Sequence, residues 1–278
     1  MDQLYDDVCA KCSAIITKEY STSFSMGIMV FEKKYRAPIC NIYGFVRFAD
    51  EIVDTYKGAH SQEIFKSFRE DTFKAIALGV SFNPVLHAFQ QVVNKYQIDH
   101  KLIHAFLDSM EMDMHMSVHD TKTYDQYIYG SAEVVGLMCL YVFLDNDIEK
   151  YEELVPSARA LGSAFQKVNF LRDLKSDFVD RGRVYFPDVD FSNFTSEEKK
   201  RIESEIIEEF KVAYEGILQL PKSVRLGVYL AYKYYLCLLN KIVETPVTHI
   251  MHTRVRIPNR KKLYLLTESA FQTRLNLL

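Results

Sequence analysis

Apolar residues recur at helical spacing along almost the whole chain, beginning with Leu4, Val8, Cys12, Ile15 and Ile16. Pro38 is read as the opening of a second helix over about 37–57, which carries Ile42, Phe45, Val46, Phe48, Ile52 and Val53 and ends before Gly58. Further starts are signed by Ser61, by Asn83-Pro84 as cap and first helical residue, by Thr195 with Glu198 as a capping box, and by Pro156 and Pro221. No alternation of period two is long enough for a strand, and no repeat of fixed length occurs. The pattern predicts an all-α bundle.

Two of these helices depart from ordinary amphipathicity. In Gln166–Asp177, at about 100° of rotation per residue, Gln166, Asn169, Asp173 and Asp177 form a narrow polar stripe, while Val168, Phe170, Leu171 and Leu174 occupy the rest. In the second helix Tyr43, Arg47, Asp50 and Asp54 fall within an arc of about 60°, with Glu51 just off it. A helix apolar over most of its girth is buried, and buried carboxylates lose hydration without compensation unless a cation faces them. Each stripe has an arginine beside it, Arg47 or Arg172. Magnesium suits such sites because it takes oxygen ligands and is held by one or two carboxylates plus substrate phosphates. The chemistry implied is metal-assisted ionisation of a carbon–diphosphate bond, with arginines neutralising the departing charge.

Composition narrows this reading. A hydrophobic content of 48% supports a large core, and only 10 Gly and 7 Pro punctuate it, so long helices in one domain over residues 1–278 are expected. A net charge of −3 gives no reason to expect nucleic acid. Five cysteines scattered through helical segments fit a reducing compartment better than a disulfide framework, and the Cys9/Cys12 spacing has no second pair to complete a zinc site. The acidic N-terminus is unlike a signal peptide, and the apolar run Val134–Leu144 is short of the roughly 20 residues that span a bilayer. A cytoplasmic protein with at most peripheral membrane contact is expected.

Other patterns have plainer readings. His115 and His119 have zinc-pair spacing on one helix but no accompanying Glu, and Met110, Met112, Met114 and Met116 alternate as mixed core and cavity wall. Tyr232 and Tyr234 read as core aromatics, and Lys199, Lys200 and Arg201 as a solvated face. Gly130, Ser131, Ala132 and Gly136 either leave room for a ligand or let helices pack closely. The segment 185–195 is the longest ordered loop and a candidate lid.

Four stretches, Tyr20–Phe24 (YSTSF), Tyr43–Asp54 (YGFVRFADEIVD), Tyr127–Gly136 (YIYGSAEVVG) and Gln166–Asp177 (QKVNFLRDLKSD), resemble in order and spacing the motifs of the squalene and phytoene synthase family. Arg181–Pro187 (RGRVYFP) and the tail 254–262 resemble its bacterial phytoene synthase branch. The resemblance implies an isoprenoid synthase bundle around a central cavity and head-to-head condensation of two prenyl diphosphates through a cyclopropylcarbinyl diphosphate, and it favours reading Gly130, Ser131, Ala132 and Gly136 as room for a prenyl tunnel over close helix packing. It implies metal-binding roles for Asp50, Asp54, Asp113, Asn169, Asp173 and Asp177, with Mg²⁺ as cofactor, Mn²⁺ as a substitute and no NADPH. Arg47, Gln166, Tyr235 and Arg254 are matched to the diphosphate, Ser21 and Ser23 to a phosphate-contacting flap, and Tyr129 to the reacting carbons, while Arg172 is expected as a supporting charge there. Two departures stand out: Glu51 follows Asp50 where many relatives have a second aspartate, and Ser176 precedes Asp177 where an acid is common.

The activity implied is that of a phytoene synthase acting on C20 diphosphates. A dehydrosqualene or squalene synthase acting on C15 diphosphates is the nearest rival, and a non-catalytic lipid-binding or assembly protein the more distant one. Asp50→Asn and Asp173→Asn are expected to abolish turnover with little loss of stability, since each removes buried negative charge.

Overall fold

The computed structural model describes residues 3–55, 58–115, 118–180, 182–187, 189–258, 260–261, 264–265 and 267–269, the side chains of 179 and 180 excepted. Its helices are α1 (Gln3–Tyr20), α2 (Thr22–Met29), α3 (Lys33–Asp54), α4 (Ser61–Leu78), α5 (Pro84–Tyr96), α6 (His100–His115), α7 (Thr121–Ile128), α8 (Val134–Leu144), α9 (Ile148–Leu174), α10 (Ser196–Gln219), α11 (Lys222–Glu244) and α12 (Val247–Ile250). Among the described residues no strand forms, and the single isolated bridge pairs Val118 with Val184 in parallel.

Local capping starts several helices where the sequence places them. Asn83 accepts from the backbone of Val85 and Leu86 with Pro84 in the first turn, and Thr195 and Glu198 form a reciprocal capping box. Two prolines behave differently. Pro38 and Pro156 lie inside α3 and α9, which begin at Lys33 and Ile148. A proline inside a helix forfeits one backbone bond, but here the preceding turns are held by buried aromatics. Phe31 and Tyr35 contact the Phe143 ring at 5.2 and 6.4 Å, and Tyr151 lies 4.1 Å from Tyr141.

The core forms two clusters. One is built on α3, α5, α6 and α8 around Phe45, whose ring stacks on Phe89 at 3.8 Å; the other joins α9, α10 and α11. α3 packs on α1, α4, α5, α6 and α8, and α9 on α8, α10 and α11, so α8 touches both striped helices. α7 continues through a π-helical turn, Tyr129–Glu133, into α8. By length and composition this run, Thr121–Leu144, could cross a membrane, but more than half of its most apolar stretch is buried, which is how a core helix behaves.

The small residues of this turn serve close packing, which corrects the tunnel reading. A Cβ on Gly130 would lie 2.4 Å from the Ala105 carbonyl oxygen, and one on Gly136 3.2 Å from that of Ala158. The space is filled by the backbones of α6 and α9. Lys199 is another correction: it is buried, pairs with buried Glu203 one turn on, and donates to the Val243 carbonyl at 3.2 Å. His115 ends α6 while His119 lies beyond it, its backbone N–H donating to the Val184 carbonyl, so the two do not share a helix. Met110 is core and Met112 and Met114 are half-buried against the two clusters; Met116 lies outside the described residues.

Candidate functional site

The last turns of α3 and α9 hold the two acidic stripes. On α3, Arg47 bonds Asp50 and donates to Glu51 Oε2 at 2.6 Å, while its guanidinium lies over the Tyr20 ring at 4.2 Å. Asp50 and Glu51 together neutralise Arg47, and the Glu51 carboxyl is held below the usual range first by the Thr55 hydroxyl. The preceding segment docks beside this face. Ser21 caps α2 by accepting from Phe24 N, Ser23 lies in its first turn, and Phe24 stacks on Tyr43 at 4.9 Å.

On α9, Arg172 Nε donates to Asp173 Oδ2 at 3.1 Å. Arg254, from the tail beyond α12, brings Nε to 2.6 Å of Asp173 Oδ1. The long-range placement of Arg254 at this stripe is therefore a feature of the fold. Asn169 Oδ1 accepts from the Tyr235 hydroxyl at 3.2 Å, and the Tyr235 ring stacks on Phe165 at 3.9 Å. Burial raises the Tyr235 phenol, partly offset by Arg172. Gln166 donates to Ser131 Oγ at 3.3 Å, linking α9 to the π-helical turn. That turn opens with Tyr129, whose ring lies 5.2 Å from the Arg159 guanidinium. A second π-helical turn, Lys175–Asp180, follows α9 and carries Asp177. Such turns concentrate at functional sites because the extra residue re-aims the side chains around it.

Asp54, Asp113 and Asp177 come together around a residue the sequence reading left without a role. Arg183 is buried; its Nη1 donates to Asp54 Oδ1 at 3.2 Å and its Nη2 to the Asp113 carbonyl at 3.3 Å. Its backbone N–H donates to the Asp177 carbonyl at 2.7 Å. The sequence signal was Gly182, at φ +67°, a conformation that reverses the chain and is unstrained mainly for glycine. Beside Arg183, Asp113 Oδ2 accepts from Tyr127 at 2.7 Å, while Asp113 Oδ1 is buried without a hydrogen-bond partner. Tyr185 stacks on Phe170 at 4.1 Å and brings its hydroxyl to 3.5 Å of Arg183 Nη1.

Burial, opposed by Arg183 and Tyr127, raises the Asp113 carboxyl from 3.8 to about 6. The unfolded chain releases this proton near the ordinary value and the folded chain only near 6. Asp113 therefore contributes most stability at low pH, and that contribution is lost as pH rises through about 6. Asp113→Asn should stabilise the metal-free chain at neutral pH by about 1–3 kcal/mol. Urea unfolding in EDTA should show the gain vanishing by about pH 4; parallel wild-type and variant pH profiles would contradict it.

The donor set fits Mg²⁺ in kind, being carboxylate and amide oxygen, and Asp113 Oδ1 is a buried acceptor with capacity to spare. Among the described residues no three acidic, His or Cys side chains converge tightly enough to enclose an ion. The arrangement suits ions that share their coordination with a phosphate ligand. The candidate lid, 185–195, is anchored by buried Tyr185, Phe186, Val189 and Phe191, so moving it as one flap would extract four apolar side chains. An apolar groove of about 670 Å³ lies elsewhere, lined by Ile15, Ile16, Phe48 and Phe82 among others, and includes none of the stripe residues.

An all-α bundle whose two striped helices carry paired aspartates and arginines and are joined at their ends by Arg183 has the isoprenoid synthase fold. The Squalene/phytoene synthase family profile matches residues 17–261, and the chain belongs to that family. A phytoene synthase from Arthrospira platensis is 26% identical over 289 residues, covering 93% of this chain and 91% of that one. A 4,4'-diapophytoene synthase from Staphylococcus haemolyticus is 25% identical over 181 residues, covering 64% of this chain and 62% of that one. The crystal structure of a dehydrosqualene synthase in complex with ligand superposes with a TM-score of 0.84 at 20% identity, covering 98% of each chain. It corroborates the fold.

Proposed function

We propose that this protein is a phytoene synthase, joining two geranylgeranyl diphosphates head to head through a cyclopropylcarbinyl diphosphate and releasing diphosphate. The observation that carries the reading is that Arg183 joins the ends of the α3 and α9 stripes, at Asp54 and at the Asp177 carbonyl, while Arg47, Arg172 and Arg254 sit on carboxylates of the two stripes. In this reading Asp50, Asp54, Asp113, Asn169, Asp173 and Asp177 hold Mg²⁺, for which Mn²⁺ can substitute. The bound metal would supply Lewis-acid neutralisation of the diphosphate charge.

The remaining roles belong to the chain itself. Arg47, held against the Tyr20 ring, and Arg172 and Arg254, held at Asp173, would turn their guanidinium forks to phosphate oxygens. Ser21, Ser23, Gln166 and Tyr235 would complete the diphosphate contacts, and Tyr129 would face the reacting carbons. The stacked Tyr127, Phe170 and Tyr185 rings would exclude water, protecting the allylic cation until the second substrate's double bond captures it. Loss of a proton then ends the reaction without a reductant, so no NADPH is needed. The reading places the protein in the cytoplasm, in peripheral contact with a membrane that accepts the apolar product, and assigns no role in nucleic-acid binding.

The staphylococcal match favours a second reading, condensation of two C15 diphosphates. Incubating pure protein with Mg²⁺ and either C20 or C15 diphosphate, with and without NADPH, separates them. A C40 hydrocarbon independent of NADPH is expected. A C30 product alone would overturn the phytoene assignment, and no product from either substrate despite binding would favour a non-catalytic role.

A further inference from the structure

Arg183 has an environment unlike that of the other arginines at the site. Arg47, Arg172 and Arg254 pair with acids on their own helix or at the site's edge, and their side chains are 20% to 49% exposed. Arg183 is 9% exposed at its side chain and is bonded to groups from three acid-bearing elements: the Asp54 carboxylate of α3, the Asp113 carbonyl of α6 and, through its backbone, the Asp177 carbonyl after α9. It is also the cation that draws on the Asp113 carboxylate, which in turn feels Asp54 and Asp177. A buried guanidinium is retained only where its donors are matched by acceptors, and here the acceptors are groups of residues assigned to metal. One Asp54 oxygen is committed to Nη1.

We propose that Arg183 is a built-in counter-ion that ties α3, α6 and the turn after α9 together in the metal-free chain, and that it competes with divalent metal for Asp54. The inference rests on the metal-binding reading given above. A divalent ion arriving at Asp54 would meet a guanidinium already there, so it must displace the Arg183–Asp54 bond or bind against its charge. The Tyr185 hydroxyl, 3.5 Å from Nη1, is an alternative acceptor on the same strand of chain. Metal uptake would thereby be linked to the position of the segment that Arg183 begins. Substrate adds the phosphate oxygens that let metal win this competition, so ordered binding of metal with diphosphate follows from the geometry.

The test is Mn²⁺ binding, read by electron paramagnetic resonance, to wild-type protein and Arg183→Gln, with and without inorganic diphosphate. Thermal unfolding in EDTA and in Mn²⁺ is measured in parallel. Removing a close like charge shifts an ionic equilibrium by about one to three decades, so Arg183→Gln should bind Mn²⁺ at least about tenfold more tightly without diphosphate. In EDTA it should unfold at a lower temperature than wild type, and Mn²⁺ should raise that temperature more than it does in wild type. Equal or weaker Mn²⁺ binding by the variant would overturn the competition while leaving the metal reading in place. No Mn²⁺ binding by folded wild-type protein, even with diphosphate, would overturn both. Should Arg183→Gln not fold, Arg183→Lys carries the comparison. A single ammonium lacks the fork that spans Asp54 and Asp113, so it too should bind Mn²⁺ more tightly than wild type, and an unchanged affinity would count against the proposal.

Discussion

Asp173→Asn is expected to lower turnover by at least about two to three orders of magnitude, the scale on which removal of one aimed electrostatic group acts in catalysis. The side chain is 17% exposed and sits between Arg172 and Arg254, so its charge sets the local balance at the α9 stripe. The sequence alone led to the expectation that its neutralisation would cost little stability. The two arginines change that sum. Asparagine can still accept a hydrogen bond, but Arg172, 20% exposed, would lose its charged partner. A loss of about 1–2 kcal/mol is expected, discounted for partial solvent access. Steady-state kinetics with urea unfolding in EDTA checks both parts. Wild-type turnover would refute the assignment of Asp173, and a variant more stable than wild type would show that its negative charge is unpaired.

The largest stability effect is expected at Lys199, in the first turns of α10. Lys199→Ala would leave Glu203, 5% exposed, without its cation and the Val243 carbonyl without a donor. Breaking a buried ion pair from one side costs about 3–5 kcal/mol, because the remaining charge stays desolvated. The paired replacement Lys199→Met with Glu203→Leu should recover most of this loss, since the uncompensated charge is gone. Urea midpoints for both variants decide the matter. A single variant within about 0.5 kcal/mol of wild type, or a double variant no better than the single, would show that the pair is not held as described.

These two residues also mark where sequence reading succeeds and where it stops. Asp50, Asp54, Asp173 and Asp177 were visible because helical periodicity is local, so acids on an otherwise apolar cylinder can be counted from spacing. The caps at Asn83 and Thr195 were visible for the same reason, being made within four residues of sequence. Pro38 and Pro156 misled because the turns before them are held by aromatic contacts with α8, which rules about a proline's immediate neighbours do not contain. Lys199 stands in a Lys-Lys-Arg run that reads as surface, and only the packing of α10 against α11 buries its first member. Arg183 follows a glycine turn whose direction becomes apparent only when α3, α6 and the end of α9 are assembled. The glycines at 130 and 136 were compatible with a tunnel or with close approach, and the distance to a neighbouring backbone decides between them.

The central claim, that the paired stripes serve the coupling of two prenyl diphosphates, is tested most directly by stoichiometry. Pure protein is incubated with one allylic prenyl diphosphate and Mg²⁺, and diphosphate release and hydrocarbon formation are counted in the same sample, with an EDTA control. Two diphosphates released per hydrocarbon formed, and neither formed in EDTA, is the predicted result. One diphosphate released per product molecule, as in cyclisation or chain elongation, or release undiminished by EDTA, would contradict it.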